Sequence, residues 1–104
     1  MKFVALPMFL AVSSLACVPA VAADVAAGKA KAEEYCVDCH GDDGKGDDES
    51  PDITAGKLST KEFVVAMQEY QSGKRTKDAK MAKAAKKLSA DDVANVAAYY
   101  ATLK

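Results

Sequence analysis

Cys36-Val37-Asp38-Cys39-His40 constrains this chain more than any other stretch, because it puts two thiols and an imidazole within five residues. Residues at i and i+3 share one side of a helical turn. At that spacing both thiols can add across the vinyl groups of a haem, and the adjacent imidazole can offer a nitrogen to the iron from the proximal face. Other uses of the pattern fit less well. A thioredoxin-like dithiol sits between a strand and a helix, and no β-branched alternating run precedes Cys36. A structural zinc site needs a fourth ligand beside Cys36, Cys39 and His40, and the sequence has no other histidine and only Cys17 as a further cysteine. A disulfide between Cys36 and Cys39 would close too small a loop to stabilise much.

Cys17 belongs to a segment that reads as an export signal. Met1-Lys2 is a short positive start, Phe3 to Val12 is apolar, and Val21-Ala22-Ala23 offers the small residues that a signal peptidase reads. Cleavage is expected after Ala23, so that residues 1–23 are removed and 24–104 form one domain of 81 residues. The apolar run is too short, and too broken by Pro7, Ser13 and Ser14, for the roughly 20 residues a bilayer span requires. A soluble periplasmic protein without stable membrane insertion is expected. Ser14-Leu15-Ala16-Cys17 carries serine where a lipobox has leucine, so lipid anchoring at Cys17 is not expected. A core of this size supplies only about 3–5 kcal/mol, so a staple is needed. One covalently bound haem c would be that staple.

The remaining sequence is helical in pattern, and the fold class is all-α, about four helices around one core. Val25 to Tyr35, rich in Ala, Lys and Glu, predicts a helix running into the cysteine motif. Gly28 interrupts it at a cost of about 1 kcal/mol relative to alanine, so that it either marks a close crossing with another helix or is simply tolerated there. From Gly41 to Gly56 the composition turns to Gly, Asp, Ser and Pro, the mark of a long loop near a site. Its carboxylates do not follow the EF-hand order, so a solvated loop is expected rather than a calcium site. Ser59 to Glu62 is a capping box, followed by Phe63, Ala66, Met67 and Tyr70 on one face and Gly73 as a stop. Lys77 to Lys87 has room for a short helix. Ser89 and Asp92 cap a last helix whose apolar face is Val93, Val96, Ala97, Tyr100 and Leu103.

Once the signal is removed, only Met67 and Met81 can offer a thioether to the face of the iron opposite His40. Met67 lies on an apolar helix face, where methionine is ordinarily core filling. Met81 sits in a lysine-rich stretch with little apolar company. Spacing alone favours Met81 as a ligand, the alternative being an exposed surface methionine.

With these features together, the chain resembles the class I c-type cytochromes, especially the small soluble bacterial cytochrome c-553 type and the cytochrome subunit of sulfide dehydrogenases. The matching features are Gly28 eight residues before Cys36, the Cys36 to Gly41 motif, Pro51 opening a Pro-x-Ile-x-x-Gly stretch, Tyr70-Gln71-Ser72-Gly73, and Leu88-Ser89-Ala90-Asp91-Asp92 leading to Ala97-Ala98-Tyr99-Tyr100. The resemblance implies a cytochrome c-like fold wrapped around one covalently attached haem. It further implies that Met81, seven residues before Leu88, is the second axial ligand. It implies too that the Pro51 carbonyl accepts a hydrogen bond from His40, and that Gly28 crosses the last helix against Tyr99. Lys77-Asp78-Ala79-Lys80, before Met81, is more charged than the family pattern.

A haem closed by His40 and Met81 has no open position for substrate, which leaves one-electron transfer as the expected function. The protein is then an electron-transfer protein and not itself an enzyme. Two alternatives are a cytochrome subunit held permanently on an oxidoreductase such as a flavin-containing sulfide dehydrogenase, and a haem sensor or peroxidase. The partners expected are redox proteins, for a monomer or one subunit of a heterodimer, with no nucleic acid. Charge supports a docking pole. Residues 24–56 carry 3 basic and 10 acidic side chains, whereas residues 57–104 carry 10 basic and 5 acidic. Lys74, Arg75, Lys77, Lys80, Lys83, Lys86 and Lys87 gather near Met81 in sequence. They would face an acidic partner if they are more than a solvated surface.

Overall fold

The computed structural model describes residues 23–104, so the expected export signal up to residue 22, Cys17 included, lies outside the described residues. Among the described residues five helices follow one another: α1 (Val25–Tyr35), α2 (Val37–His40), α3 (Thr60–Ser72), α4 (Ala79–Lys86) and α5 (Ala90–Ala101). Among the described residues there is no strand. The count exceeds the expected four by α2, a single turn that carries the end of the cysteine motif.

Local chemistry sets the helix ends. Asp24 caps α1 by accepting from the Ala27 amide at 3.0 Å. Both capping boxes are present: the Ser59 and Ser89 hydroxyls accept from the Glu62 and Asp92 amides, and each carboxylate accepts in return from the serine amide. Such reciprocal bonds satisfy donors that a helix start otherwise leaves open. Gly73 ends α3 in the left-handed conformation, φ 84°. The last helix stops at Ala101, short of Leu103, whose carbonyl instead accepts from the Ala55 amide at 2.9 Å. That bond ties the long loop to the C-terminus.

The helices pack where their apolar faces meet. Helices α1 and α5 form the largest interface, α3 packs on both α4 and α5, and the core comprises ten buried hydrophobic residues from Ala32 to Tyr100. Phe63 stacks on Tyr100 with ring centroids 5.7 Å apart. At the α1–α5 crossing the two backbones approach with no room for a side chain between them. A Cβ at Gly28 would fall on the Asn95 carbonyl and lie 3.0 Å from the Val96 amide nitrogen. The crossing therefore occurs at Gly28, but its partner is the Asn95–Val96 backbone and not Tyr99, one turn further along α5. The Asp24 amide also donates to Asn95 Oδ1 at 2.8 Å, pinning the start of α1 to the same point.

Gly28→Ala tests this crossing. Alanine is the better helix former by about 1 kcal/mol, yet the clash is with backbone, which no rotamer change relieves. The expected outcome in denaturant unfolding is a net loss of about 1–3 kcal/mol, the range for overpacking.

Candidate functional site

The cysteine motif takes its shape from where α1 ends. The Cys36 amide still donates to Ala32, but φ −113° at Cys36 breaks the helix, and one new turn forms with His40 donating to the Cys36 carbonyl at 3.0 Å. Gly41, at φ 84°, then stops that turn. The turn leaves Cys36 and His40 buried and Cys39 exposed. Neither cysteine is in a disulfide.

These three residues line a cavity of about 360 Å³, and Pro51, Met67 and Met81 line it as well. The volume lies in the range of small-molecule and cofactor sites, about 300–1,000 Å³. Ile53, Leu58 and Phe63 contribute apolar wall. Every residue proposed from sequence for the site thus borders one space.

His40 is only 6% exposed, and its Nδ1 donates to the Pro51 carbonyl at 2.8 Å. With Nδ1 used as the donor, Nε2 is the nitrogen that carries the free lone pair. Pro51 is held in place by a loop that folds back on itself. Gly46 donates to the His40 carbonyl at 2.8 Å, and the Asp47 amide donates to Ser50. Asp47 Oδ1 accepts from the Glu49 and Ser50 amides. At φ 71°, Gly46 passes so close that a Cβ there would fall on the Ser50 and Pro51 carbonyls.

Met81, which lines the same cavity, is half-buried near the start of α4 and packed against the core. Its amide and that of Lys80 donate to the Asp78 carboxylate, at 3.1 and 2.9 Å. Asp78 is therefore the N-cap of α4, which explains a charged residue so close to an apolar cavity. The far end of α4 is fastened to α3 by Gln71, whose Nε2 donates to the Ala85 and Leu88 carbonyls, each at 2.9 Å. Met67 differs from Met81 in being 4% exposed and a member of the core cluster.

Sequence reading did not single out Gly46, Gln71 or Asp78 for these roles. Asp78 had a signal, a capping residue just before a helix-forming run. Gln71 had none, because its partners are carbonyls 14 and 17 residues away.

Burial pushes the Cys36 thiol up to about 11, an effect that the neighbouring Tyr100 hydroxyl partly offsets. The thiol is protonated at neutral pH. Sulfur, imidazole and thioether around an apolar space form a soft donor set suited to haem iron and its vinyl groups.

Fold and cavity chemistry together define a class, the c-type cytochromes. Residues 23–99 match the family model described as cytochrome c oxidase, cbb3-type, subunit III, and the chain belongs to that family. A comparison with curated proteins finds no match. Membership implies haem c binding and electron transfer. Among the described residues, no helix is long and apolar enough to cross a membrane.

Gly46→Ala should loosen the His40 side of the cavity. A left-handed conformation costs a non-glycine residue roughly 1–2 kcal/mol, and the added methyl group would also meet two carbonyls. A lower melting temperature is expected for Gly46→Ala. Gly56→Ala, where the nearest atom to a Cβ is Thr54 Oγ1 at 3.8 Å, should melt close to the parent protein.

Proposed function

We propose that the protein is an exported, periplasmic one-electron carrier of the small c-553 type. It would hold one haem c covalently through Cys36 and Cys39, with His40 and Met81 as axial ligands. The observation that carries this reading is the meeting of those four side chains on a single cavity, with His40 Nδ1 already committed to Pro51. When bound, haem c supplies a one-electron iron couple. The chain's own residues do the rest. Cys36 and Cys39 fix the group in place, and Pro51 orients the His40 ring and strengthens it as a donor. Met81 would offer the second ligand, and a thioether there would raise the potential. Phe63, Leu58 and Ile53 exclude water. With His40 and Met81 both holding the iron, no place would be left for a substrate, and one-electron transfer is the chemistry the group would supply.

The partner we propose is an acidic redox protein docking beside Met81. Lys80 borders the main cavity. Next to it lies a second hollow of about 400 Å³, lined by Tyr70, Ala79 and Ala82 and flanked by Arg75, Lys83 and Lys86. Arg75 pairs with Glu69 at 2.7 Å, so the lysines carry most of the uncompensated charge. An apolar floor with a positive rim suits a transient contact steered by charge. A second reading, a subunit fixed to a larger oxidoreductase, has in its favour that the family's own description names a subunit. Gel filtration of the native protein separates the two, because a carrier elutes as a free small protein.

Two experiments test the reading. The purified protein should stay red in acid acetone, and its intact mass should exceed that of residues 24–104 by one haem. In the ferric state Met81→Ala should lose the weak red sulfur-to-iron band, lower the potential and, once reduced, bind carbon monoxide, whereas Met67→Leu should keep the band. The reverse pattern would assign the ligand to Met67. Pigment passing into the organic layer would remove the covalent attachment.

The docking pole is tested by Lys80→Glu with Lys83→Glu. Oxidation or reduction by the native partner should slow at low salt. At high salt, parent and variant rates should converge, because the Debye length falls from about 10 Å at 0.1 M to about 3 Å at 1 M. Rates insensitive to both would leave these lysines a solubility role.

A further inference from the structure

Tyr100 poses a question that packing does not answer. Its side chain is 1% exposed, and its hydroxyl is the buried side-chain polar atom that lacks a hydrogen-bond partner among the described residues. Burying a hydroxyl without a partner costs about 1–3 kcal/mol. Phenylalanine would fill the same space and keep the stack on Phe63 without that cost.

The ring cannot swing to find a partner elsewhere. Phe63 stacks on it at 5.7 Å, Tyr99 is tilted against it at 5.1 Å, and a Cβ on Gly44 would lie 2.7 Å from its Cε1. Gly44 itself is buried and left-handed, at φ 74°, so the backbone passes close to the ring edge. The hydroxyl direction is therefore set by packing. It neighbours the Cys36 sulfur, and each group alters the other's acidity.

We infer that Tyr100 is a positioning residue for the cofactor attachment, its hydroxyl donating to the Cys36 sulfur once that sulfur has become a thioether. The inference rests on the attachment proposed above. As a thiol, Cys36 offers both a weak donor and a weak acceptor, and the polarity of the pair is undetermined. When the thiol adds across a vinyl group, a carbon–sulfur bond forms, the thiol hydrogen ends on the neighbouring carbon, and no electron is gained or lost. The sulfur then has lone pairs and no hydrogen. Only O–H to S remains possible, and the clamped tyrosine becomes the donor. This draws electron density from the sulfur and restricts rotation about the Cβ–Sγ bond of the buried attachment point.

The test compares the parent holoprotein with Tyr100→Phe, using Tyr99→Phe as a control because Tyr99 is half-buried and its hydroxyl has no such role. Intact mass first establishes that haem is attached. Resonance Raman should show the carbon–sulfur stretch of the attachment shifted in Tyr100→Phe and unmoved in Tyr99→Phe. Spectroelectrochemistry should give a lower midpoint potential for Tyr100→Phe alone. In the parent protein, exchange into D2O should move the same stretch, a measurement that needs no variant to fold. Attached haem with an unchanged stretch, an unchanged potential and no deuterium effect would overturn the role of Tyr100 and leave the attachment standing. A mass without haem would overturn both.

Discussion

The contact between the backbones of α1 and α5 at Gly28 is the constraint from which the rest of this structure follows. Because no side chain separates Gly28 from Asn95 and Val96, the two helices have little freedom of distance or angle at that point. Cys36 follows directly on α1, so fixing the helix fixes the first thiol and the turn behind it. Tyr100 is on α5, one turn beyond Val96, and so reaches the same thiol. Even the loop that bears Pro51 depends on the end of α5, through the bond from Ala55 to Leu103. A chain with few core residues gains more from one such crossing than from a wider, softer interface, since every later element is referred to it.

The protein chain fills only part of its own interior. The described residues bury a modest core, and a cavity of about 360 Å³ lies among the same residues that form it, Cys36, Phe63 and Met67 included. Voids of that size are costly in a close-packed interior, since their lining loses dispersion contacts. A bound, planar, largely apolar group is what turns such a cavity into core. On the proposed reading, cofactor binding and folding draw on one set of contacts, consistent with the need for a staple in a domain this small.

Much of this was legible in the sequence, and the reasons differ by element. The helices α3 and α5 announced themselves because capping boxes are local, with all their atoms within four residues, and because their apolar faces repeat at helical spacing. Cys36, Cys39, His40 and Met81, which line one cavity, could be singled out because reactive side chains are rare in this chain. The one-turn α2 was not, since a turn of four residues carries no periodicity. Nor was the partner of Gly28: a glycine signals that something approaches closely, but not which residue approaches. Tyr99 and Asn95 lie on one side of α5 at i and i+4, and sequence cannot say at which of the two levels the helices touch. Gln71 and Gly46 act on backbone atoms of distant segments, and such bonds leave no trace in residue type beyond the capacity to make them.

His40 and Met81 are held by different means. His40 is set by short-range bonds in its own loop, from Gly46 and to Pro51, so its position is nearly a property of residues 40–51. Met81 depends on tertiary structure: α4 packs mainly on α3, with Gln71 gripping its C-terminal end and Asp78 capping its start. The charge follows the same division, because the acidic loop belongs to the histidine side and the lysines to α4. Lys83 and Lys86 lie in the last turn of α4, where positive charge favours the helix dipole. The same lysines that would steer a partner thus also help to form the helix that carries Met81. Removing their charge acts on both, and a salt-dependent rate is what separates steering from helix stability.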